Sequence, residues 1–247
     1  MLRGIELCLS VMLFFGGLCS FLYPTINGAR LEAQATKAAE SFIEAFVIPL
    51  EQEKPVIETE EAAEAEKPSL YPEQLEAMED YNRRMVDEQQ ELLAQSGAYE
   101  TAGLNMADYG IQGNVAAVLS VPLLGIEMPV YLGATYDNMA AGATVLGGTS
   151  LPIGGADTNS VIAGHRGWNG APYFLHIDQL QTGDAVSITN LWGTLDYTVS
   201  ELRIIEPDNV QEIYIQPGRD LLTLVTCHPP ATGGRYRLLV ICERTTT

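Results

Sequence analysis

Basic side chains are scarce in this sequence. Thirteen Lys and Arg stand against 32 Asp and Glu, a net charge of −19 over 247 residues. That deficit excludes the basic stripe with which proteins grip nucleic acid. Cysteine is sparse too: Cys8, Cys19, Cys227 and Cys242 are too few and too scattered for a disulfide framework or a zinc ribbon. The three histidines, His165, His176 and His228, lack metal-ligand spacing, so no metal site is expected. No Gly-rich phosphate loop occurs, which argues against a nucleotide cofactor, and no other cofactor is implied. Apolar residues are not lacking. At 47% of the chain they suffice for a core and are too many for disorder throughout.

The charge is unevenly placed: 20 of the acidic residues precede position 115, and the last lysine is Lys67. The two halves therefore read separately. Leu7 to Tyr23 is uncharged and mostly apolar, with Arg3 before it and Pro24 after it. A bilayer takes roughly 17–25 such residues. Residues 1–24 are thus expected to be a membrane anchor, with Arg3 favouring an inside N-terminus and an exported remainder. The alternative is a signal peptide cut near Ala33-Gln34-Ala35, although that site lies well past the apolar run. Residues 25–71 are expected to form a stalk. It begins at helical spacing and becomes an acidic, proline-bounded linker over 51–68. Residues 72–114 hold an amphipathic helix, with Leu75, Met78, Tyr81, Met85, Gln89 and Leu92 on one face, and then a Gly-rich loop over 96–114.

From Val115 onward the pattern changes to short β-branched or alternating runs separated by Gly-rich turns. Strands are expected at Val115–Val121, Ile126–Leu132, Ser160–Ala163, Ala185–Thr189, Leu195–Ile205, Leu221–Thr226 and Arg237–Cys242, with helices at Thr135–Ala141 and Tyr173–Leu180. Many short strands with few helices indicate a mainly β domain over 115–247, a sandwich or a barrel.

Two strands in this half end in reactive groups. Leu222-Thr223-Leu224-Val225-Thr226-Cys227 runs into His228-Pro229-Pro230, and proline stops strand pairing, so Cys227 stands at a strand mouth. Ser160-Val161-Ile162-Ala163 runs into Gly164-His165-Arg166-Gly167. A nucleophilic thiol needs a base within reach. His228 adjoins Cys227, but strand neighbours point to opposite faces. His176 reads as a partly buried structural residue in a helix. His165 is therefore the candidate base. Attack on a carbonyl also needs a group for the developing oxyanion. Arg235 and Arg237 both open the last strand, and Arg237 enters its apolar run directly. The plain reading of each residue stays open: a buried inert cysteine, a surface ion pair for either arginine. Cys242, amid Leu-Val-Ile, reads as core.

Thr223-Leu224-Val225-Thr226-Cys227 followed by Arg237, together with Asn159 through Gly167, resembles the signature of sortases, and the histidine region resembles class C, or pilin-type, sortases. The resemblance covers roughly residues 115–244. It implies an eight-stranded sortase-type β-barrel with short helices, preceded by an N-terminal helical segment and a membrane anchor. It implies cysteine transpeptidation: Cys227 as nucleophile, His165 as general acid/base, Arg237 as oxyanion and substrate-positioning group, and Thr226 as a residue shaping the substrate site. The expected substrate is an LPXTG-like sorting signal on a surface or pilin protein, cut between Thr and Gly. The expected acceptor amine is a pilin lysine, as in pilus assembly, or a cell-wall precursor, as in housekeeping anchoring. The expected location is the membrane of a Gram-positive type envelope, single-pass, with the catalytic domain outside. Pilin sortases carry an Asp-Pro-aromatic lid. No Asp-Pro dipeptide occurs here; loop 96–114 takes the lid position, and Tyr99 is its candidate residue for the cleft. A non-catalytic β-barrel that binds a partner is the remaining alternative, and it predicts a buried, unreactive Cys227.

Overall fold

A computed structural model describes residues 2–47, 71–95, 99, 104–109 and 114–245. Helix α1 spans Leu2–Phe42 and widens into a π turn over Ile43–Val47. Helix α2 covers Pro72–Leu93 and α3 covers Tyr136–Ala141, where the Thr135 hydroxyl accepts the Asn138 N–H as an N-cap. The strands are β1 (Val115–Val121), β2 (Ile126–Leu132), β3 (Ala143–Val145), β4 (Thr158–Ala163), β5 (Arg166–Trp168), β6 (Ala171–Tyr173), β7 (Ala185–Asn190), β8 (Gly193–Ile205), β9 (Asp220–His228) and β10 (Tyr236–Arg244). Eight of them close a barrel in the order β1-β2-β3-β4-β9-β10-β8-β7, with β7 returning to β1. The remaining two, β5 and β6, form a separate hairpin.

The barrel interior is filled by one face of each strand, including Leu119, Ile188, Leu222, Leu224 and Val240. The centre of the sheet is buried on its outer face as well. Val161 and Ala163 of β4, Leu221 and Val225 of β9, and Leu239 and Ile241 of β10 form a second cluster with Leu93 and Ile213. Burial on both faces is why β9 reads as an unbroken apolar run rather than an alternating one. Only two barrel pairings are parallel, β2 with β3 and β4 with β9. The β4–β9 pair matters most below.

The α2 helix turns Met78, Tyr81, Asn82, Met85, Gln89 and Leu93 to the barrel. Its buried amides satisfy backbone groups of the loops they cover. Asn82 accepts the Leu151 N–H at 2.7 Å and donates to the Leu151 carbonyl at 3.2 Å. Gln89 accepts the Ile215 N–H at 2.8 Å.

Several expectations need correction. The segment Tyr173–Leu180 is not a helix: it is the end of β6, a loop, and a 3₁₀ turn over Ile177–Gln179. His176 is exposed there, not partly buried. Two elements were not foreseen, the three-residue β3 and the β5–β6 hairpin. The hairpin turn is Asn169-Gly170, both at positive φ, as a tight hairpin turn requires. The stalk expected over 25–71 divides. Residues 48–70, with the acidic linker, lie outside the described residues. Residues 25–47 are helical, and α1 runs through Pro24 without a break. One face of that stretch, Gly28, Leu31, Ala39 and Phe42, packs on the barrel while its neighbours stay exposed. Packing of this face supports the helix past the hydrogen bond that Pro24 cannot donate. The exposed apolar residues of α1, Val11 to Ile26, make it the one described helix long and apolar enough to cross a membrane.

Helix and hairpin meet at two glycines. A Cβ on Gly28 would lie 2.3 Å from the Gly170 carbonyl carbon, and one on Gly170 would lie 1.8 Å from the Pro24 oxygen. The Asn27 side chain also donates to the Asn169 carbonyl at 3.2 Å. Gly28→Leu should therefore force the helix off the hairpin, at a cost of about 1–3 kcal/mol. Gly16→Leu, where nothing lies within 4 Å, should cost no packing. Thermal unfolding of the two variants in detergent, with hydrogen exchange over 28–42, checks this; equal melting temperatures would refute the contact.

Candidate active site

Strands β4 and β9 run parallel and in register, from Thr158 opposite Asp220 to Ala163 opposite Val225. Parallel strands leave a sheet at the same edge. Two residues beyond the last pair, each chain carries its reactive side chain: His165 after β4, Cys227 near the end of β9. The exit is fastened by two bonds. The Gly164 N–H donates to the Val225 carbonyl at 3.1 Å, and the buried Thr226 hydroxyl donates to the Gly164 carbonyl at 2.7 Å. On the other side of β9, antiparallel β10 brings Arg237 directly opposite Cys227. Side chains at positions 221, 225 and 227 share the outer face of β9, so the sulfur points to the outside of the barrel.

There the three groups line a single cleft of ≈ 350 Å³. Its walls are otherwise largely apolar, with Leu146, Ala163, Ile205, Val210, Ile213, Val225 and Leu239. No Asp or Glu is among its described lining residues. Cys227 is a free, exposed thiol. Arg237 is half-buried, and its Nη1 donates to the Gly234 carbonyl at 2.8 Å. A Cβ at Gly234 would lie 3.1 Å from the Cys227 sulfur and 3.0 Å from that same nitrogen, so any larger residue would wedge into the space around both.

His165 is held by an aromatic frame that sequence reasoning missed. Its ring stacks on Trp168 at 5.2 Å between centroids and meets Tyr173 edge-on at 5.8 Å. Both partners belong to the β5–β6 hairpin, and the Tyr173 hydroxyl is fixed to the Ala140 carbonyl at 2.8 Å. The His165 carbonyl accepts the Phe174 N–H at 2.9 Å. Gly164 is glycine because Phe174 covers it: a Cβ would lie 2.7 Å from that ring. The signal that could have found the frame is the Asn169-Gly170 pair, which marks a hairpin immediately after the histidine.

Other residues fall where they can be sorted. Tyr99 lines the cleft, and its carbonyl receives the N–H groups of Ala134 and Gly147 at 2.9 and 3.1 Å. Burial pushes its phenol up, with Tyr214 adding to the shift and Arg237 opposing it. Residues 100–103 and 110–113 of the same loop lie outside the described residues. Arg235 is exposed in the turn before β10 and does not line the cleft. Cys242 is fully buried opposite Leu222, and burial pushes its thiol up to about 12. Five residue pairs separate it from Cys227 along the ladder, about 17 Å, so these two cannot form a disulfide. No group of side chains suited to a metal occurs among the described residues.

A thiol, an imidazole and a guanidinium around one apolar cleft on a closed barrel form the donor set of a cysteine acyl-transfer enzyme. Residues 119–245 match the sortase domain model, and the chain belongs to the sortase family. Among solved structures it is similar to sortase C1 of Streptococcus agalactiae, with a TM-score of 0.61 and 29% identity over 71% of this chain and 89% of that one. It is also similar to sortase C-1 of Actinomyces oris, with a TM-score of 0.59 and 29% identity over 71% and 98%. Structural likeness therefore runs to class C. Among curated proteins, sortase D of Bacillus subtilis (strain 168) is 25% identical over 119 residues, 47% of this chain and 56% of its own length. The aligned stretch thus spans about half the length of the curated relatives it matches.

Burial lowers the His165 pKa below its ordinary 6.5, because desolvation disfavours the imidazolium. The ring is thus mostly neutral at pH 7 and takes up a proton only as pH falls below 6.5. Removing part of the cover with Trp168→Ala should move the midpoint back up toward 6.5. An NMR titration of the His165 ring checks this; an unchanged midpoint in Trp168→Ala would show that the cover is not the cause.

Proposed function

We propose that this chain is a membrane-anchored cysteine transpeptidase, with Cys227 as nucleophile, His165 as general acid/base and Arg237 as the oxyanion and substrate-positioning group. The observation that carries the reading is that these three side chains, His165 after β4, Cys227 of β9 and Arg237 of β10, line one cleft at the shared exit of β4 and β9.

In the first half-reaction Cys227 gives its proton to neutral His165, and the sulfur attacks the threonyl carbonyl of an LPXTG-like signal. The new S–C bond forms, and the negative oxygen is met by the Arg237 guanidinium. As the C–N bond to glycine breaks, protonated His165 gives its proton to the departing amine. In the second half the acceptor amine attacks the thioester and loses a proton to His165, the new amide forms as the S–C bond breaks, and the departing sulfur takes that proton back from His165 to restore the thiol and the neutral ring. The apolar walls favour this order by limiting water, which would otherwise hydrolyse the thioester. Thr226 shapes the site indirectly, since its hydroxyl ties the Gly164 carbonyl next to His165.

The acceptor is read as a lysine of a pilin subunit, supported by the likeness to sortase C structures. A wall-precursor amine is the second reading, favoured by the curated relatives named sortase A in Streptococcus agalactiae and Listeria monocytogenes. Helix α1 is read as the anchor, leaving the barrel outside the cell. Tyr99 is read as the residue of a lid. A lid variant has been solved for Streptococcus agalactiae sortase C1, and Tyr99 here lies in the cleft beside Arg237.

With an LPXTG-type peptide and an amine acceptor, Cys227→Ala should reduce turnover by about 10⁴-fold or more while the barrel stays folded. Arg237→Lys should lose about 10²–10³-fold. Mass spectrometry of the products, with a pilin-type lysine peptide and a wall-precursor amine offered together, separates the two acceptors. Turnover persisting in Cys227→Ala would remove the assignment. For the lid, Tyr99→Ala should speed alkylation of Cys227 by iodoacetamide several-fold; an unchanged rate would take Tyr99 out of that role.

A further inference from the structure

Arg166 follows His165 in the chain but lines no part of the cleft. Its side chain is only 2% exposed, and its guanidinium reaches three places at once. Nε donates to the Leu175 carbonyl at 3.2 Å, Nη2 pairs with the Asp178 carboxylate at 2.7 Å, and Nη1 lies 3.1 Å from Nδ1 of His228. Arginine has donors and no acceptor, so Nδ1 of His228 must accept, and the ring carries its proton on Nε2. The residue after His165 therefore grips the residue after Cys227.

The position of this grip matters. Backbone pairing between β4 and β9 ends at Ala163 and Val225, and the two bonds at Gly164 and Thr226 extend it by one step. The Arg166–His228 contact ties the two chains again two residues further out on each. His228 and Cys227 are strand neighbours and point to opposite faces. Holding the His228 ring behind the sheet fixes the twist of the 227–228 peptide. That in turn aims the Cys227 side chain toward His165 without any group entering the cleft. Asp178 and the Leu175 carbonyl hold the other two corners of the guanidinium, so the arginine is itself rigid.

We propose that Arg166, acting through His228, is a positioning residue that sets the aim of the Cys227 thiol relative to His165. This rests on the cysteine chemistry proposed above. The test uses the full chain in detergent and compares His228→Leu, His228→Asn, Arg166→Lys and the double variant Arg166→Lys/His228→Leu. Asparagine keeps an acceptor near the place of Nδ1, leucine does not, and lysine cannot span three acceptors as the planar fork does. His228→Leu and Arg166→Lys should each lower kcat about tenfold with KM within about twofold, since misplaced reacting groups lose turnover rather than binding. His228→Asn should stay near the parent, and the double variant should be no slower than Arg166→Lys alone. The pH profile of Cys227 alkylation by iodoacetamide gives a second readout that needs no substrate: it should shift in His228→Leu and not in His228→Asn. If Arg166→Lys fails to fold, the leucine and asparagine pair decides alone. A His228→Leu protein with parent kcat and parent alkylation profile overturns the positioning role, as does asparagine behaving like leucine. A parent enzyme with no acyl transfer overturns the function instead, and the alkylation profiles still decide this inference.

Discussion

The site depends on the parallel pairing of β4 with β9. In an antiparallel pair, consecutive positions near one strand's end face the beginning of the other. A parallel pair in register makes both ends coincide, so two residues carried the same distance past the last pair meet without a loop to bring them together. Here that distance is two residues on each strand, and the residues are His165 and Cys227. The pairing is made specific by polar groups inside an otherwise apolar sheet. Asn159 of β4 accepts from the Thr223 hydroxyl of β9 at 2.8 Å and donates to the Ile213 carbonyl at 3.0 Å. At the far end Asp220 receives the Gly155 N–H at 2.9 Å and the Tyr197 hydroxyl at 3.0 Å. A one-residue slip would leave the buried Asn159 and Thr223 side chains unpaired, so the register that brings the thiol and the imidazole to one edge is also the one that satisfies the sheet.

A strand pair that central must be covered on both faces, and the cover shapes the cleft. Leu93 of α2, Ile213 and Leu146 lie over the outer face of β4, β9 and β10. The cleft is the part of that outer face left uncovered at the edge where the strands end. Tyr99 lines it on one side, its carbonyl accepting two backbone N–H groups. The hairpin β5–β6 holds the His165 ring, and through Asn169 and Gly170 the same hairpin touches α1 at Pro24, Asn27 and Gly28. One small element therefore joins the ring of His165 to the N-terminal helix.

Much of this was legible in the sequence, and the omissions have physical causes. The seven foreseen strands all exist because each is long enough for its β-branched pattern to register, and β1 and β2 begin and end where the pattern does. β3 has three residues, all buried, too few to show an alternation, and is defined by its neighbours rather than by its own pattern. The thiol, imidazole and guanidinium were legible because each borders an apolar run, two just past its end and Arg237 at its start, so strand ends and reactive groups coincide. The frame around His165 was not, since Trp168 and Tyr173 belong to a hairpin too short to show periodicity. The boundary at Pro24 misled for a related reason. Proline is a local stop signal, whereas the continuation of α1 past it depends on contacts of Gly28, Ala39 and Phe42 with a barrel that begins 70 or more residues later in the chain.

The chemistry also depends on where the negative charge is not. In a chain of net charge −19, a cationic side chain would ordinarily acquire a carboxylate neighbour, as Arg166 does with Asp178 and Arg203 with Glu201. Among the described lining residues of the cleft there is none, and Arg237 spends its Nη1 on the backbone carbonyls of Gly234 and Tyr236. A carbonyl leaves the guanidinium's net charge in place, whereas a carboxylate would cancel it. Within apolar walls that uncancelled charge acts through a lower effective dielectric than water provides, which is the condition the oxyanion role proposed for Arg237 requires. The same exclusion suits the thiol, whose anion a nearby carboxylate would oppose. Two requirements, an accessible sulfur and an unneutralised cation, are thus served by one feature: none of the described residues that line the cleft is acidic.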